Sequence, residues 1–481
     1  MCSKGCVRSF LDASFFHIVF YRNIFIFWQI KIFMELSYIL QKLGIEKLTP
    51  MQKAMEEACA KNNDVVLLSP TGTGKTLAFL LPLVQSLKTG EKEIQAIVLV
   101  PSRELALQIS EVLKKMNTPF KTVCCYGGRP AMEEHKLLRE LSPSVVVGTP
   151  GRVCDHLRKG NINGTNIRTL VIDEFDKCLE LGFQDEMAEA IGYFSALKKR
   201  ILLSATDTDE IPGFVGMGAG GKQQGCSRGI VKLNYLNQNP ETSQRLQFFK
   251  VLSTEKDKLE TLYRLLCVIG KTPTLVFVNY RESAERVFHY LQSKKVLCNV
   301  FHGGMEQIDR ERALYKFRNG SCPVLISTDL AARGLDIAGI GNVVHYHLPV
   351  NEESFTHRNG RTARWDATGA VYLILHAEEQ LPVYVTDETA VFEWPEKLPK
   401  PFQAHWTTLY IGKGKKDKIN KVDIIGFLCK KGGLSKDDIG IVDVGDYYAF
   451  AAVRSSKVKQ VLMLIHGEKM KGVKVLIEVA Q

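Results

Sequence analysis

The sequence has no CxxC pair, and its twelve cysteines are scattered apart from the adjacent Cys124 and Cys125. That excludes a disulfide scaffold and structural zinc, and it points to a reducing, cytoplasmic compartment. No apolar run approaches the roughly 18–20 residues a membrane-spanning helix needs. The nearest, Phe15–Trp28, is cut by Arg22 and Asn23 and followed by Gln29 and Lys31. It has no small-residue cleavage site, so it does not read as a secretory signal either. With 45% hydrophobic and 24% charged residues, disordered and fibrous classes drop out. The 481 residues suit about three domains.

What is present is unevenly spread. Of the net charge of +11, residues 1–33 carry +3, residues 401–481 carry +6 and the long middle only +2. A basic module at one end suggests docking on a polyanion. Residues 1–33 also hold nine aromatics, unlike anything after them. Met34 opens an amphipathic helix pattern and is read as the true start, with 1–33 as translated upstream sequence.

From Lys61 onward, short β-branched runs alternate with helical stretches, the pattern of βαβ units in a parallel sheet. Strands are expected at Val65–Leu68, Ala96–Val100, Lys121–Cys125, Val145–Val147, Leu170–Ile172 and Ile201–Leu203. The pattern restarts at Leu246–Val251, Thr274–Val278, Val296–Phe301, Val324–Ser327, Asn342–Tyr346 and Ala370–Leu375. Glycine-rich 218–229 and the polar 237–243 mark a hinge region. The last 75 or so residues read βαββαβ, an RNA-recognition-motif-like order shared with other ferredoxin-like folds. The expected organisation is an extension at 1–33, an ATP-binding α/β domain at 34–236 and a hinge at 237–243. A second α/β domain at 244–385, a linker at 386–404 and a small α+β domain at 405–481 follow.

Three motifs carry chemistry. Ser69-Pro70-Thr71-Gly72-Thr73-Gly74-Lys75-Thr76 lies between a strand and a helix, where backbone N–H groups of a glycine-rich turn can surround phosphate oxygens. Lys75 would reach the β and γ phosphates and Thr76 the Mg2+ ion of bound ATP. Ser69 stands where the general pattern has glycine. Leu170–Asp176 is an apolar strand ending in carboxylates, with Asp173 placed to hold Mg2+ and Glu174 to orient or deprotonate water. In the second half, Arg361 and Arg364 can stabilise charge developing on the γ-phosphate.

Residues 36–380 resemble the DEAD-box ATP-dependent RNA helicases of superfamily 2, whose two α/β domains are RecA-like. The motifs run in order: Leu48-Thr-Pro-Met-Gln52, SPTGTGKT, Pro101-Ser-Arg-Glu-Leu105, Gly127-Gly128, Thr149-Pro-Gly-Arg152 and DEFD. Then come Ser204-Ala-Thr206, His302-Gly-Gly304, Gln307-Ile-Asp-Arg310, Ser327–Asp336 and HRNGRTAR. The resemblance implies adenine recognition by Gln52 and a nucleotide contact by Asp336. It also implies coupling of hydrolysis to domain movement through Ser204, Thr206 and Asp176. RNA backbone would lie on Pro101, Arg103, Gly128, Thr149, Gly151 and Arg152, and on Gln307, Arg310 and Thr328. Sugar and phosphate contacts of this kind carry little sequence preference. The chain departs from the family at Phe175, Asn359, Ala363 and Glu35, the last where an aromatic is expected. Altered packing around Phe175 is the expectation, with activity kept.

Residues 407–481 resemble the RNA-binding domain of DbpA-type helicases. Lys413, Lys415, Lys416, Lys418 and Lys421 cluster there with only Asp417 opposing, as phosphate neutralisation requires. Tyr448 and Phe450 fall at two stacking positions of an RNA-recognition strand, where core packing is the equal alternative. The resemblance implies structured ribosomal RNA as the target, in large-subunit assembly, with no membrane and no stable protein partner. Two rivals stand beside an RNA-stimulated ATPase that remodels short duplexes: a DNA-acting superfamily-2 helicase and a non-catalytic RNA clamp.

Overall fold

The computed structural model describes residues 36–70, 72–128, 130–207, 211–217, 230–236, 246–329, 339–362, 368–385 and 389–480. The 1–33 extension with its Met34 boundary, the 218–229 glycines and the 237–243 hinge lie outside them, as do Glu35 and Ala363. The chain divides into two compact units, Met1–Gln238 and Asn239–Gln481.

In the first unit the strands are β1 (Asp64–Leu68), β2 (Ala96–Leu99), β3 (Thr122–Cys125), β4 (Val145–Gly148), β5 (Thr169–Ile172), β6 (Lys199–Ser204) and β7 (Val231–Asn234). They form one parallel sheet in the order β3-β4-β2-β5-β6-β1-β7. Helices cover both faces, which is why β1 to β5, β3 apart, are Val/Ile/Leu runs and not alternating strands. Successive residues still point to opposite sides. Val65 and Leu67 enter one core with Leu80 and Leu83 of the helix Lys75–Ser86, while Val66 and Leu68 enter the other with Phe175 and Val153.

The second unit repeats this arrangement. Its strands β8 (Leu246–Ser253), β9 (Thr274–Val278), β10 (Cys298–Phe301), β11 (Val324–Thr328), β12 (Asn342–His345), β13 (Gly369–His376) and β14 (Ala390–Val391) are ordered β10-β11-β9-β12-β13-β8-β14. Position for position this is the strand order of the first sheet, so both halves are RecA-like. Strand β14 falls inside the stretch expected to be linker. Phe392 and Trp394 then continue onto the domain, Phe392 edge-on to Phe249 and Tyr372 and Trp394 under the Arg264 guanidinium.

The same unit ends in a small α+β domain. An antiparallel sheet ordered β16-β17-β15-β20 is built from β15 (Trp406–Ile411), β16 (Ile439–Val444), β17 (Ala449–Arg454) and β20 (Ile477–Val479). With the helices Lys421–Lys430 and Val458–Leu464 this is βαββαβ. Leu409, Ile411, Ala449, Ala451 and Val453 pack inward under the helices. A two-stranded hairpin, β18 (Lys469–Met470) with β19 (Val473–Lys474), precedes β20. No helix among the described residues is long and apolar enough to cross a membrane.

Candidate functional site

Because every strand of the first sheet runs the same way, all strand C-termini open on one edge, the usual ligand edge of such sheets. The motifs divide along it. Neighbouring β5, β6 and β1 lead into Asp173-Glu174, Ser204–Thr206 and the glycine-rich loop. Neighbouring β3, β4 and β2 lead into Gly127-Gly128, Thr149–Arg152 and Pro101–Arg103.

Gly72 and Gly74 take φ of 83° and 91°, a region that glycine enters without cost. The helix Lys75–Ser86 starts immediately after them. Lys75 is buried and its Nζ donates to the Ser69 carbonyl at 2.6 Å. Ser69, the departure from the general pattern, shares a hydrogen bond of 2.7 Å with the Thr73 hydroxyl, tying the loop across itself. Gln52 caps its own helix reciprocally with Thr49 and donates to the Gly74 carbonyl at 3.3 Å. A Cβ on Gly74 would strike that amide, so Gln52 and the loop are fitted to each other. Thr71 lies outside the described residues.

Asp173 is 3% exposed. Burial pushes its carboxyl up to about 7, against the pull of the Lys75 ammonium. It accepts the Glu174 N–H at 2.9 Å. Glu174 itself sits at φ 50°, left-handed, as N-cap of the helix Phe175–Glu180, a strained position for a residue with a Cβ. Asp176 accepts from the Thr206 hydroxyl at 3.2 Å. The Ser204 hydroxyl accepts the Thr206 N–H at 3.1 Å and donates to its carbonyl. Phe175 points away into the core, 1% exposed. A helix N-terminus and a lysine suit a phosphate, and a divalent cation beside them would hold the buried Asp173 carboxylate ionised.

On the other side, Gly128 (φ 89°) lies so close under the Arg103 guanidinium that a Cβ would collide with it. Gly151 has neither a positive φ nor any heavy atom within 4 Å of a would-be Cβ. Its lack of a side chain therefore serves no need of the described fold. Pro101 is buried, Thr149 is the N-cap of the helix Pro150–Arg158, and Arg152 is half-buried. Arg152 Nε lies 3.6 Å from Glu134. Glu134 also accepts the Tyr126 N–H at 3.0 Å and meets His156 Nε2 at 2.8 Å. Glu134, itself fixed by His156 and the Tyr126 N–H, stands beside Arg152, and nothing in the sequence spacing marks it for that place.

In the second unit β10 leads into His302–Gly304 and the helix Gln307–Arg318, and β11 ends at Thr328. His302 Nδ1 accepts the Gly304 N–H at 3.1 Å while Nε2 meets Glu285 at 2.7 Å. Gln307, half-buried, and Arg310, buried with its guanidinium 5.0 Å over the Phe301 ring, stand on the helix Gln307–Arg318. Thr328 is buried at the end of β11. Arg361 is buried and its Nε donates to the His357 carbonyl at 3.3 Å. Arg364 and Asp336 lie outside the described residues. The Asn359 departure has a partner: its Oδ1 meets His345 Nε2 at 2.9 Å. Burial, then the Arg358 charge, lowers His345 to about 3, so it stays neutral.

In the small domain, the lysine loop is seated on the turn before β17. The Lys415 and Lys416 N–H groups donate to the Gly445 and Asp446 carbonyls, both at 2.9 Å. Lys415 and Lys418 are exposed. Lys413 instead pairs with Asp417 at 2.8 Å, and Lys416 lies 4.0 Å over the Tyr447 ring. Lys471 of the hairpin donates to the Lys418 carbonyl, adding a basic segment beside the loop.

The aromatic pair has a definite environment. Phe450, 4% exposed, stacks on Tyr315 at 4.9 Å. Tyr315 lies on the helix Gln307–Arg318 of the preceding α/β domain, and its hydroxyl donates to the Ile441 carbonyl at 2.5 Å. Asn319 Nδ2 donates to Thr408 Oγ1 at 2.8 Å and Lys316 Nζ to the Ala480 carbonyl at 3.1 Å. The outer face of the small sheet is thus packed against its own chain, which answers the stacking alternative for Phe450 in favour of packing.

Residues 49–212 match the DEAD/DEAH box helicase family, 257–366 the helicase conserved C-terminal domain and 408–479 the DbpA RNA binding domain. The chain is 33% identical to the Escherichia coli (strain K12) ATP-dependent RNA helicase DbpA, over 90% of this chain and 94% of that protein. It is 29% identical to DbpA of Bacillus subtilis (strain 168), over 90% and 95%. Among solved structures, S. cerevisiae Dbp5 bound to RNA and ADP BeF3 superposes with a TM-score of 0.60 at 25% identity, covering 70% of this chain and 86% of that one. The DEAD-box helicase Mss116 bound to ssRNA and UDP-BeF gives 0.62 at 25%, covering 71% and 72%. The chain belongs to the DEAD-box ATP-dependent RNA helicases of superfamily 2, in the form that carries a C-terminal DbpA-type RNA-binding domain.

Proposed function

We propose that this helicase hydrolyses ATP in response to RNA and uses the cycle to remodel short duplexes in structured ribosomal RNA during large-subunit assembly. The observation that carries the reading is the division of motifs along the strand-end edge. Residues suited to a nucleotide stand on β5, β6 and β1, and residues suited to a polynucleotide backbone stand on β3, β4 and β2. Both groups hang on one rigid sheet, so what one binds can be sensed by the other. In this reading Gln52 selects adenine, while Ser69, Thr71, Gly72, Thr73, Gly74 and Lys75 hold the phosphates. Thr76 and Asp173 would hold Mg2+, which when bound neutralises phosphate charge. Glu174 orients water, Arg361 and Arg364 answer the charge that develops on the γ-phosphate, and Asp336 touches the nucleotide.

Backbone contacts at the core residues give little sequence preference. Choice of RNA then falls to the basic end of the small domain, around Lys413, Lys415, Lys416 and Lys418. The relatives' name DbpA and the matched RNA-binding family support that division, and a cytoplasmic location follows from the ribosomal target. The test is steady-state ATP hydrolysis by the full chain with no nucleic acid, homopolymer RNA, ribosomal RNA or DNA. Stimulation by RNA, strongest with ribosomal RNA and absent with DNA, is expected. Equal stimulation by DNA would overturn the choice of substrate, and RNA binding without hydrolysis would leave a passive clamp.

A further inference from the structure

The small domain does more than sit on its neighbour: its packing reaches a residue proposed to touch RNA in the core. The helix that carries Tyr315 begins with Gln307. One turn in, Glu311 uses its two carboxylate oxygens in two directions. Oε1 accepts the Gln307 side-chain amide at 3.0 Å, and Oε2 accepts the Tyr448 hydroxyl from the small domain. A carboxylate at neutral pH only accepts hydrogen bonds. Gln307 must therefore turn its NH2 toward Glu311, which fixes which way its carbonyl oxygen faces. Tyr448 in turn removes the freedom of Glu311 to swing into solvent. The Tyr315–Phe450 stack beside it anchors the two domains, so the relay does not depend on a lone surface hydrogen bond.

We infer that Tyr448 is a positioning residue for the core: through Glu311 it presets the Gln307 amide for an RNA backbone contact. This rests on the reading of Gln307 as an RNA contact. It assigns the sheet face of the RNA-binding domain to bracing the helicase domain, and leaves the domain's own RNA contacts to its lysine-bearing end.

The experiment measures half-saturating homopolymer RNA and half-saturating ribosomal RNA for ATPase stimulation, together with ATP KM and thermal midpoint, in the full chain. Variants are Tyr448→Phe, which removes only the hydroxyl, Gln307→Ala, and the two combined. Gln307→Ala should raise half-saturating RNA by about 3- to 10-fold, the effect of one hydrogen bond. Tyr448→Phe should do the same with thermal midpoint and ATP KM unchanged. The double variant should be no worse than Gln307→Ala alone, since the two act in series. A Gln307→Ala effect with Tyr448→Phe silent, or with additive effects, would overturn the relay and leave the RNA contact standing. A silent Gln307→Ala would overturn the contact and the relay together. Loss confined to ribosomal RNA preference in Tyr448→Phe would place Tyr448 on the small domain's own RNA surface and also overturn the relay.

Discussion

Arg358 grips Asp329 with two parallel hydrogen bonds, Nε to Oδ1 at 2.5 Å and Nη2 to Oδ2 at 2.8 Å. The arginine is 1% exposed. Its remaining hydrogens go to the His347 carbonyl, Asn279 Oδ1 and, at 3.5 Å, His345 Nδ1. It thus joins the strand-end loops of β9, β11 and β12 to the helix that leads to Arg361. Removing it strands a partly buried carboxylate, which costs about 3–5 kcal/mol. Arg358→Ala should lower the thermal midpoint of the protein markedly. Arg358→Lys should rescue little, because a lysine cannot make the two-pronged contact. Denaturation of both variants beside the unmodified protein checks this, and near-native stability of Arg358→Lys would show that charge alone suffices.

His345 yields a pH dependence with a definite sign. Its proton binds near pH 3 in the folded chain, against an ordinary value of 6.5. Between those values the unfolded chain holds more protons, so stability falls as pH drops below about 6.5, by at most about 1.4 kcal/mol per pH unit from this group. His345→Gln should flatten the dependence of thermal midpoint on pH between about 6.5 and 4. A slope unaffected by the substitution would mean that His345 is not the group responsible.

Gly151 separates an RNA role from a folding role. No heavy atom lies within 4 Å of a Cβ added there, and its φ is not positive. Gly151→Ala should therefore leave thermal midpoint and ATP KM unchanged. It should raise half-saturating RNA by about tenfold, if a phosphate backbone must lie against the glycine. An unchanged RNA requirement would remove Gly151 from the RNA path.

Lys415 and Lys418 are exposed, whereas Lys413 has Asp417 and Lys416 has Tyr447. Replacing Lys415 and Lys418 with Gln should reduce the salt slope of ribosomal RNA binding by about one unit for each phosphate no longer neutralised. Binding at two ionic strengths suffices to measure it. An unchanged slope would make the loop merely solvated.

Twelve strands of the two parallel sheets were legible in the sequence, because sheets covered by helices make strands such as β1, β2, β4, β5, β9, β11 and β12 conspicuous as fully buried hydrophobic runs. Strands β7 and β14 were not. Val231–Asn234 alternates half-buried and exposed residues at a sheet edge, and Ala390–Val391 is two exposed residues in a proline-rich stretch. The contiguous motifs placed the strand-end site, since backbone turns and adjacent carboxylates are local. The residues that hold those motifs were hidden. Arg358 reaches Asp329 across 29 residues of chain and Glu134 reaches His156 across 22. Neither pairing has a sequence signature. For Phe450, alternation placed it on a sheet face, but the helix covering that face lies 135 residues upstream at Tyr315.

Glu174 tests the central claim most directly. Held at the end of β5 in a left-handed conformation beside Asp173, it is the group assigned to orient the attacking water. Single-turnover ATP hydrolysis with saturating RNA should slow by about 10²–10⁴-fold in Glu174→Gln, with ATP and RNA binding retained. Turnover within a few-fold of the unmodified protein would contradict the assignment of the catalytic carboxylate, and with it the account of how this site spends ATP.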